Sequence, residues 1–275
     1  MFTHQQIQHF KSFGFVVLRG LLAADEVDAL KAEVVNALTD AFGGIGADDD
    51  PNTTGGIRGD YLPLAVDRTP VSQALIADGP RFFHGSAQLL GQPTVPTLPI
   101  ATCFTSNAGW HNDHGPDVAG VKFLAYLEAR TADTGALRVL PGSHTPDFDR
   151  LLRAYWSQDP AASGFEGWPV PGVALDTAPG DVVAFDAHLF HSSAGGEKRL
   201  AWAIEYLPWP GLGDQERLHR VRDSINGIVD VAHKDYDRDR WPTWSEWAAD
   251  PARSRPSRQT AIQRLRLLGV LGDER

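Results

Sequence analysis

His111-Asn112-Asp113 sets an imidazole and a carboxylate two positions apart, on one face if the segment is extended. Alone, that spacing says little. A second cluster lies further along: Gly180-Asp181, then His188 and His191, then Arg199. Two imidazoles, one carboxylate and open coordination positions make a facial triad, a ligand set that suits Fe(II) and leaves room for a co-substrate and dioxygen. Such a site keeps a net positive charge, which favours a dianionic keto acid as chelating ligand. The far carboxylate of that acid then needs a cation, best a guanidinium that grips it through two hydrogen bonds.

Arg199 meets this need in one strand register. If Ala194-Gly195-Gly196 is a three-residue hairpin loop, Ser193 pairs with Glu197 and His191 with Arg199, both side chains on one face. A two-residue Gly195-Gly196 turn instead pairs His191 with Leu200 and sends Arg199 to the other face. The chemistry requires the first register, in which Ser193, Ala201, Ala203 and Glu205 also line the interior. His188 competes with His191 as ligand, but only His191 shares a face with Ser193. His114, one position past Asp113, points away from the ligand face and reads as a substrate or outer contact. Trp110 is a further substrate candidate, against the commoner role of a buried aromatic. His144 is expected to order its Pro-Gly-Ser-His turn. Two histidines and a carboxylate also bind zinc with an open fourth position, so a zinc hydrolase stays open. A non-catalytic binding protein on the same scaffold is the other alternative.

These residues need strands to hold them. Short apolar runs separated by turn signals give candidate strands at 97–104, 120–128, 137–140, 182–185, 190–193 and 200–207. Before them, Thr3 and Gln6 form a capping box for a first helix, residues 15–18 read as a short strand, and residues 24–42 as an amphipathic helix. Residues 43–59, rich in Gly, Asp and Asn, read as a long loop, either a lid or a surface insertion. Many short strands with helices gathered at one end predict a mainly β fold with flanking helices, a jelly-roll barrel. The expected organisation is a single domain over 1–275. Residues 1–95 form a helical buttress and loop, 96–208 the jelly-roll core, and 209–275 an irregular, tryptophan-rich extension ending in a helix from about 259 to 268.

With 275 residues, 42% hydrophobic and 22% charged, the chain has the composition of an ordinary globular protein. A formal net charge of −10 disfavours nucleic acid and anionic lipid as partners. The basic cluster Arg253, Arg255, Arg258, Arg264 and Arg266 is expected to decorate a solvated helix. A single cysteine, Cys103, excludes an intrachain disulfide and thiolate zinc sites. No run approaches the ~18 apolar residues of a membrane span, and the opening residues lack a signal-peptide pattern, so a cytoplasmic location is expected.

Three patches together resemble the phytanoyl-CoA dioxygenase family of Fe(II)/2-oxoglutarate oxygenases, over about residues 5–207. They are the opening FKSFGFVVLRGLL at 10–22; Trp110-His111-Asn112-Asp113 followed by GALRVLPGSH at 135–144; and Gly180-Asp181 through His191-Ser192-Ser193 to Arg199. The resemblance implies a double-stranded β-helix with His111, Asp113 and His191 as iron ligands. It implies that Arg199 binds the 2-oxoglutarate carboxylate with help from Ser193, and that succinate and carbon dioxide are co-products of oxidation by dioxygen. The interval from His191 to Arg199 is shorter than in many relatives, which leaves the hairpin geometry open.

The expected substrate is a small polar, sugar-bearing natural-product intermediate, hydroxylated or oxidatively cyclised. A compact lysine patch for the phosphates of an acyl-CoA is missing, and likeness to members that tailor antibiotic sugars points the same way. Trp241, Trp244, Trp247 and Trp209 offer aromatic faces for a saccharide. The alternative for Trp241, Trp244 and Trp247, spaced i, i+3, i+6, is the packing of a C-terminal helix.

Overall fold

Thr3 opens the first helix as the sequence predicts. Its hydroxyl accepts from the Gln6 amide while the Gln6 side chain accepts from the Thr3 amide, and Gly14 closes the helix in the left-handed region. A computed structural model describes residues 1–46, 59–64, 68–115, 117–156, 172–231, 234–241, 244, 247–248 and 255–271. In chain order the elements are α1 (His4–Phe13), β1 (Phe15–Leu18), α2 (Ala24–Phe42), β2 (Gly59–Pro63), α3 (Pro70–Ala77), α4 (Phe83–Leu90), β3 (Thr94–Pro96), β4 (Ile100–Phe104) and β5 (Ala108–His111). They continue with β6 (Val121–Tyr126), β7 (Thr134–Val139), α5 (Pro146–Trp156), β8 (Val173–Leu175), β9 (Val182–Asp186), β10 (His191–Gly195), β11 (Arg199–Pro208), α6 (Gln215–Gly227) and α7 (Pro256–Leu267).

Two antiparallel sheets face each other. The larger runs β1-β9-β6-β11-β4-β2, with β3 also on β11; the smaller runs β5-β10-β7-β8. This is the jelly-roll arrangement of double-stranded β-helix oxygenases, mainly β with helices packed outside. The core strand β11 shows how period-2 alternation builds it. Leu200, Trp202, Ile204 and Tyr206 join the hydrophobic cluster that includes the buried residues of α2, α3 and α4, while Ala201 joins the smaller cluster between the sheets. Both faces are covered, so every residue of β11 is buried. On α2, Val27, Leu30, Val34 and Leu38 bury against that outer face, each contributing about 1.5–3 kcal/mol relative to exposure.

Several expectations change. β10 and β11 are not a hairpin in either register considered. His191 pairs with His111 and Val139 in the smaller sheet, whereas Arg199 pairs with Phe104 in the larger. The intervening segment is a corner that carries the chain from one sheet to the other, with Gly195, Gly196 and Lys198 at positive φ. A Cβ at Gly196 would lie 2.1 Å from the Thr134 carbonyl oxygen, so the close approach needs glycine. The large sheet also takes β1 and β2 from the first 95 residues. The segment after Gly211 is not irregular: Asp214 caps α6, whose Leu218, Val221 and Ile225 face the core. Arg258 and Arg264 are half-buried rather than solvated: Arg258 stacks on Trp247 and pairs with Asp78, and Arg264 lies over Phe83. Most of the long loop read at 43–59 lies outside the described residues. No helix among the described residues is long and apolar enough to cross a membrane.

Candidate metal centre

The smaller sheet delivers both histidines. β5 ends on His111 and β10 begins on His191, directly paired across the sheet, with their rings 4.3 Å apart between centroids. Asp113 lies two residues beyond β5, where its amide donates to the Ala187 carbonyl at 3.0 Å. Asp113 Oδ1 stands 4.0 Å from His111 Nε2 and 3.7 Å from His191 Nε2. An ion bonded at about 2.1 Å fills such a triangle after closure of under about 1 Å per side chain. Among the described residues this trio is the group of His, Cys, Asp and Glu that can hold a metal ion.

The tautomers suit that use. His111 Nδ1 lies 2.7 Å from the Gly109 carbonyl oxygen, and His191 Nδ1 lies 2.9 Å from that of Leu189. A carbonyl only accepts, so Nδ1 carries the proton in each ring and Nε2 turns its lone pair toward the centre. Burial lowers the His191 pKa to about 4, with Asp113 pulling the other way, so the ring is neutral at neutral pH. For Asp113, burial opposes ionisation, but Lys122, His191 and His111 outweigh it and hold the carboxyl well below its usual range. Lys122 Nζ donates to Asp113 Oδ2 at 3.1 Å, which leaves Oδ1 facing the histidines. Burial works against the Lys122 cation, yet Asp113 and Glu205 raise its pKa.

Lys122 went unnoticed in the sequence, although the signal was present. In β6 it alternates with buried Val121 and Phe123, on the same face as Leu124's neighbour two along, Tyr126. A lysine on the inward face of a doubly covered strand needs a partner. His188, the rival ligand, instead has its Nδ1 3.2 Å from Asp186 Oδ1 and its Nε2 3.0 Å from the Gly115 carbonyl oxygen. His114 lies outside the trio, with Nε2 2.9 Å from Glu205 Oε1 but without the alignment of a hydrogen bond. Burial lowers and Glu205 raises the His114 pKa, with a net rise. Trp110, adjacent to His111 on β5, packs toward Gly172 and away from the chamber. His144 Nε2 meets the Lys11 carbonyl oxygen at 3.2 Å, tying its turn to α1. Asp181 also has a structural task, since its carboxylate accepts from the Gly20 and Ala178 amides and pairs with Arg19.

A cavity of ≈ 90 Å³ opens beside the trio, lined by His111, Asp113, His191 and Ser193 on one wall and by Thr102, Lys122, Tyr126 and Ala203 on the other. Arg199 sits at the sheet-to-sheet corner, fully buried. Its Nη1 donates to the Gly195 and Gly196 carbonyls at 3.3 and 3.2 Å and its Nη2 to the Ser106 carbonyl, while Nε has no partner. Burial lowers its pKa, and the neighbouring Arg130 cation acts in the same direction against the pull of Tyr126. A buried guanidinium hydrogen-bonded to carbonyls, with Nε unpartnered, fits the distal carboxylate of a keto acid.

The aromatic tail is a correction. Trp241, Trp244 and Trp247 are 3%, 4% and 0% exposed within the core, and Trp247 Nε1 donates to the Gln73 carbonyl. Their faces meet protein, not solvent, so they offer no platform for a saccharide.

Fold and triad define a non-haem iron oxygenase. The family model for phytanoyl-CoA dioxygenase matches residues 10–198, and the chain belongs to that family of 2-oxoglutarate-dependent dioxygenases. The ectoine dioxygenase of Sphingopyxis alaskensis is 26% identical over 235 residues, covering 77% of this chain and 76% of that protein. The structure of EctD from S. alaskensis with 2-oxoglutarate and 5-hydroxyectoine is 25% identical, covers 75% of this chain and 76% of that one, and superposes with a TM-score of 0.55. HygX from Streptomyces hygroscopicus, with nickel, 2-oxoglutarate and hygromycin B bound, is 21% identical over 75% of this chain and 88% of its own, with a TM-score of 0.56. Iron and 2-oxoglutarate are thus the cofactor and co-substrate, and the zinc-hydrolase and non-catalytic alternatives are set aside.

Proposed function

We propose that the protein holds one Fe(II) through His111, Asp113 and His191, binds 2-oxoglutarate with Arg199 and Ser193, and hydroxylates or oxidatively cyclises a small polar, sugar-containing natural-product intermediate. The observation that carries the binding site is the alignment of two imidazoles, each with Nδ1 fixed by a carbonyl, on one carboxylate. Bound there, iron and 2-oxoglutarate supply the activation of dioxygen and the oxidation of a substrate C–H bond, with succinate and carbon dioxide released.

The chain's own residues supply placement. Lys122 keeps one oxygen of Asp113 occupied, so the carboxylate offers the metal a single ligand atom and the remaining positions stay open. Ser193, two residues after His191 on β10, lines the cavity in the direction of the Arg199 corner. At the other end of β11, Glu205 lies beside His114 and is paired in register with Lys122. That charged end, where Lys122 lines the cavity, supports a polar substrate over a fatty acyl chain. HygX, crystallised with hygromycin B, adds support for a glycosylated substrate. The test is 2-oxoglutarate-dependent succinate release, scored for tight coupling across glycosylated compounds, aminocyclitols and acyl-CoAs. Tight coupling to an acyl-CoA with no response to glycosylated compounds overturns the substrate reading.

A further inference from the structure

Glu205 is a carboxylate in the core, 7% exposed and outside the metal trio. A buried charge of this kind is held by partners. His114 Nε2 lies 2.9 Å from its Oε1. Lys122 stands opposite it in register on β6, close enough for Glu205 to act on the ammonium together with Asp113. Lys122 Nζ donates to Asp113 Oδ2 at 3.1 Å, and His114 follows Asp113 in the chain. Asp113, Lys122, Glu205 and His114 therefore close a ring. It meets Asp113 through space on one side and through a peptide bond on the other. A Cβ at Gly120 would lie 2.5 Å from Glu205 Oε1, so glycine there opens the room that the carboxylate fills.

The ring spans the two sheets. His111 and His191 stand on β5 and β10 of the smaller sheet, whereas Lys122 and Glu205 stand on β6 and β11 of the larger. The backbone amides of Asp113 and His114, 3.0 and 3.3 Å from the Ala187 carbonyl oxygen, fix the main chain of this segment to the turn before β10. Those bonds do not set the side-chain torsions of Asp113. Lys122 does, by holding Oδ2 from the larger sheet. Arg199 and Glu205 occupy the same face of β11, six residues or roughly 20 Å apart. One strand thus carries the proposed keto-acid cation at one end and the brace of the metal carboxylate at the other.

Building on the assignment of His111, Asp113 and His191 as the iron site, we propose that Glu205 is a positioning residue of the metal centre. Through Lys122 and His114 it aims Asp113 Oδ1 at the metal, without supplying a ligand atom. The Glu205 charge keeps the Lys122 ammonium shared between two carboxylates. Removing that charge leaves Lys122 on Asp113 alone, which draws the carboxylate away from the histidines. It also releases the His114 side chain from the larger sheet.

The test is titration of the metal-free protein with Co(II), whose ligand-field absorption reports ligand number and geometry without turnover. Glu205→Gln keeps shape and removes the charge; His114→Phe keeps a ring and removes the contact. Each is expected to weaken Co(II) about 10–100-fold in competition with a chromogenic chelator, and to shift the ligand-field band. His114→Gln, which returns a donor, is expected to recover most of that loss. The double variant Lys122→Met/Glu205→Gln is expected to lose less than the two single losses combined, because both residues act on one carboxylate. Losses that add in full make the two residues independent and overturn the proposal. Urea unfolding of the metal-free variants runs beside the titrations. Lower stability with wild-type Co(II) affinity and spectrum marks a brace of the fold and overturns the proposal. So does wild-type Co(II) binding with altered coupling of succinate release to substrate oxidation, which marks a substrate contact. If Glu205→Gln fails to fold, the two His114 variants decide by the same criteria. Wild-type protein that takes up no Co(II) overturns the metal-centre assignment itself, and the proposal with it.

Discussion

Replacing Arg199 separates the keto-acid contact proposed for its guanidinium from the corner contacts it makes. Arg199→Met removes the cation and leaves the carbonyls of Gly195, Gly196 and Ser106 without their donor at the corner between the sheets. Loss of a desolvated, hydrogen-bonded charge pair with the keto acid costs roughly 2–5 kcal/mol, a rise of about thirtyfold or more in the KM for 2-oxoglutarate. Loss of the three corner contacts costs about 1 kcal/mol each if none is replaced by water, seen as earlier denaturant unfolding. Arg199→Lys keeps the charge but not the fork, so it should recover part of the KM effect and little of the corner. Succinate formation across a range of 2-oxoglutarate concentrations, beside urea unfolding curves, reads both quantities. A KM change below about threefold in Arg199→Met, with clear destabilisation, would reduce Arg199 to a corner brace and move the carboxylate site elsewhere.

Lys122→Met should lower metal affinity by about 10–100-fold, because Asp113 loses the partner that fixes its carboxylate; competition against a chromogenic chelator measures it, and unchanged affinity would remove Lys122 from the site. The Glu26–Arg81 pair gives a pH signature away from the site. The Arg81 guanidinium holds Glu26 at about 2 against the opposing effect of burial, with N–O distances of 2.5 and 2.6 Å. The folded pKa is depressed, so the contribution is present above the unfolded value of about 4.5 and is lost as pH falls toward 2. Arg81→Gln should therefore lower stability at neutral pH and flatten the stability profile between those pH values. An unchanged slope there would mean that solvent screens the pair completely.

Much of this site is written in local sequence. The capping box of Thr3 and Gln6, the apolar stripe of α2 and the alternation of β11 depend on residues close in the chain, and all three form as expected. The triad was legible because imidazole, carboxylate and imidazole are themselves chemical choices. The connection from His191 to Arg199 was not. Ala194-Gly195-Gly196 is compatible with a hairpin, and what makes it a corner is the pairing of β10 with β5 and β7, strands far away in sequence. Arg199 still shares a face with Ala201, Ala203 and Glu205, but it lies in the sheet opposite His191, with its guanidinium at the corner. The tryptophans failed for the same reason: their spacing suits a ligand platform or a core equally, and only contact with the rest of the core cluster decides for burial. By contrast, α6 was readable, since Asp214 caps it and Leu218, Val221 and Ile225 mark one face.

The most direct test is iron stoichiometry under anaerobic conditions in the wild type and in His191→Ala and His188→Ala. His191 Nε2 faces Asp113 Oδ1 at 3.7 Å, whereas His188 has its ring nitrogens at Asp186 and the Gly115 carbonyl. The wild type should bind one Fe(II) per chain and release succinate when 2-oxoglutarate and oxygen are supplied. His188→Ala should retain that stoichiometry, and His191→Ala should lose tight binding and succinate release together. Full binding and turnover in His191→Ala, with both abolished in His188→Ala, would contradict the metal centre described here.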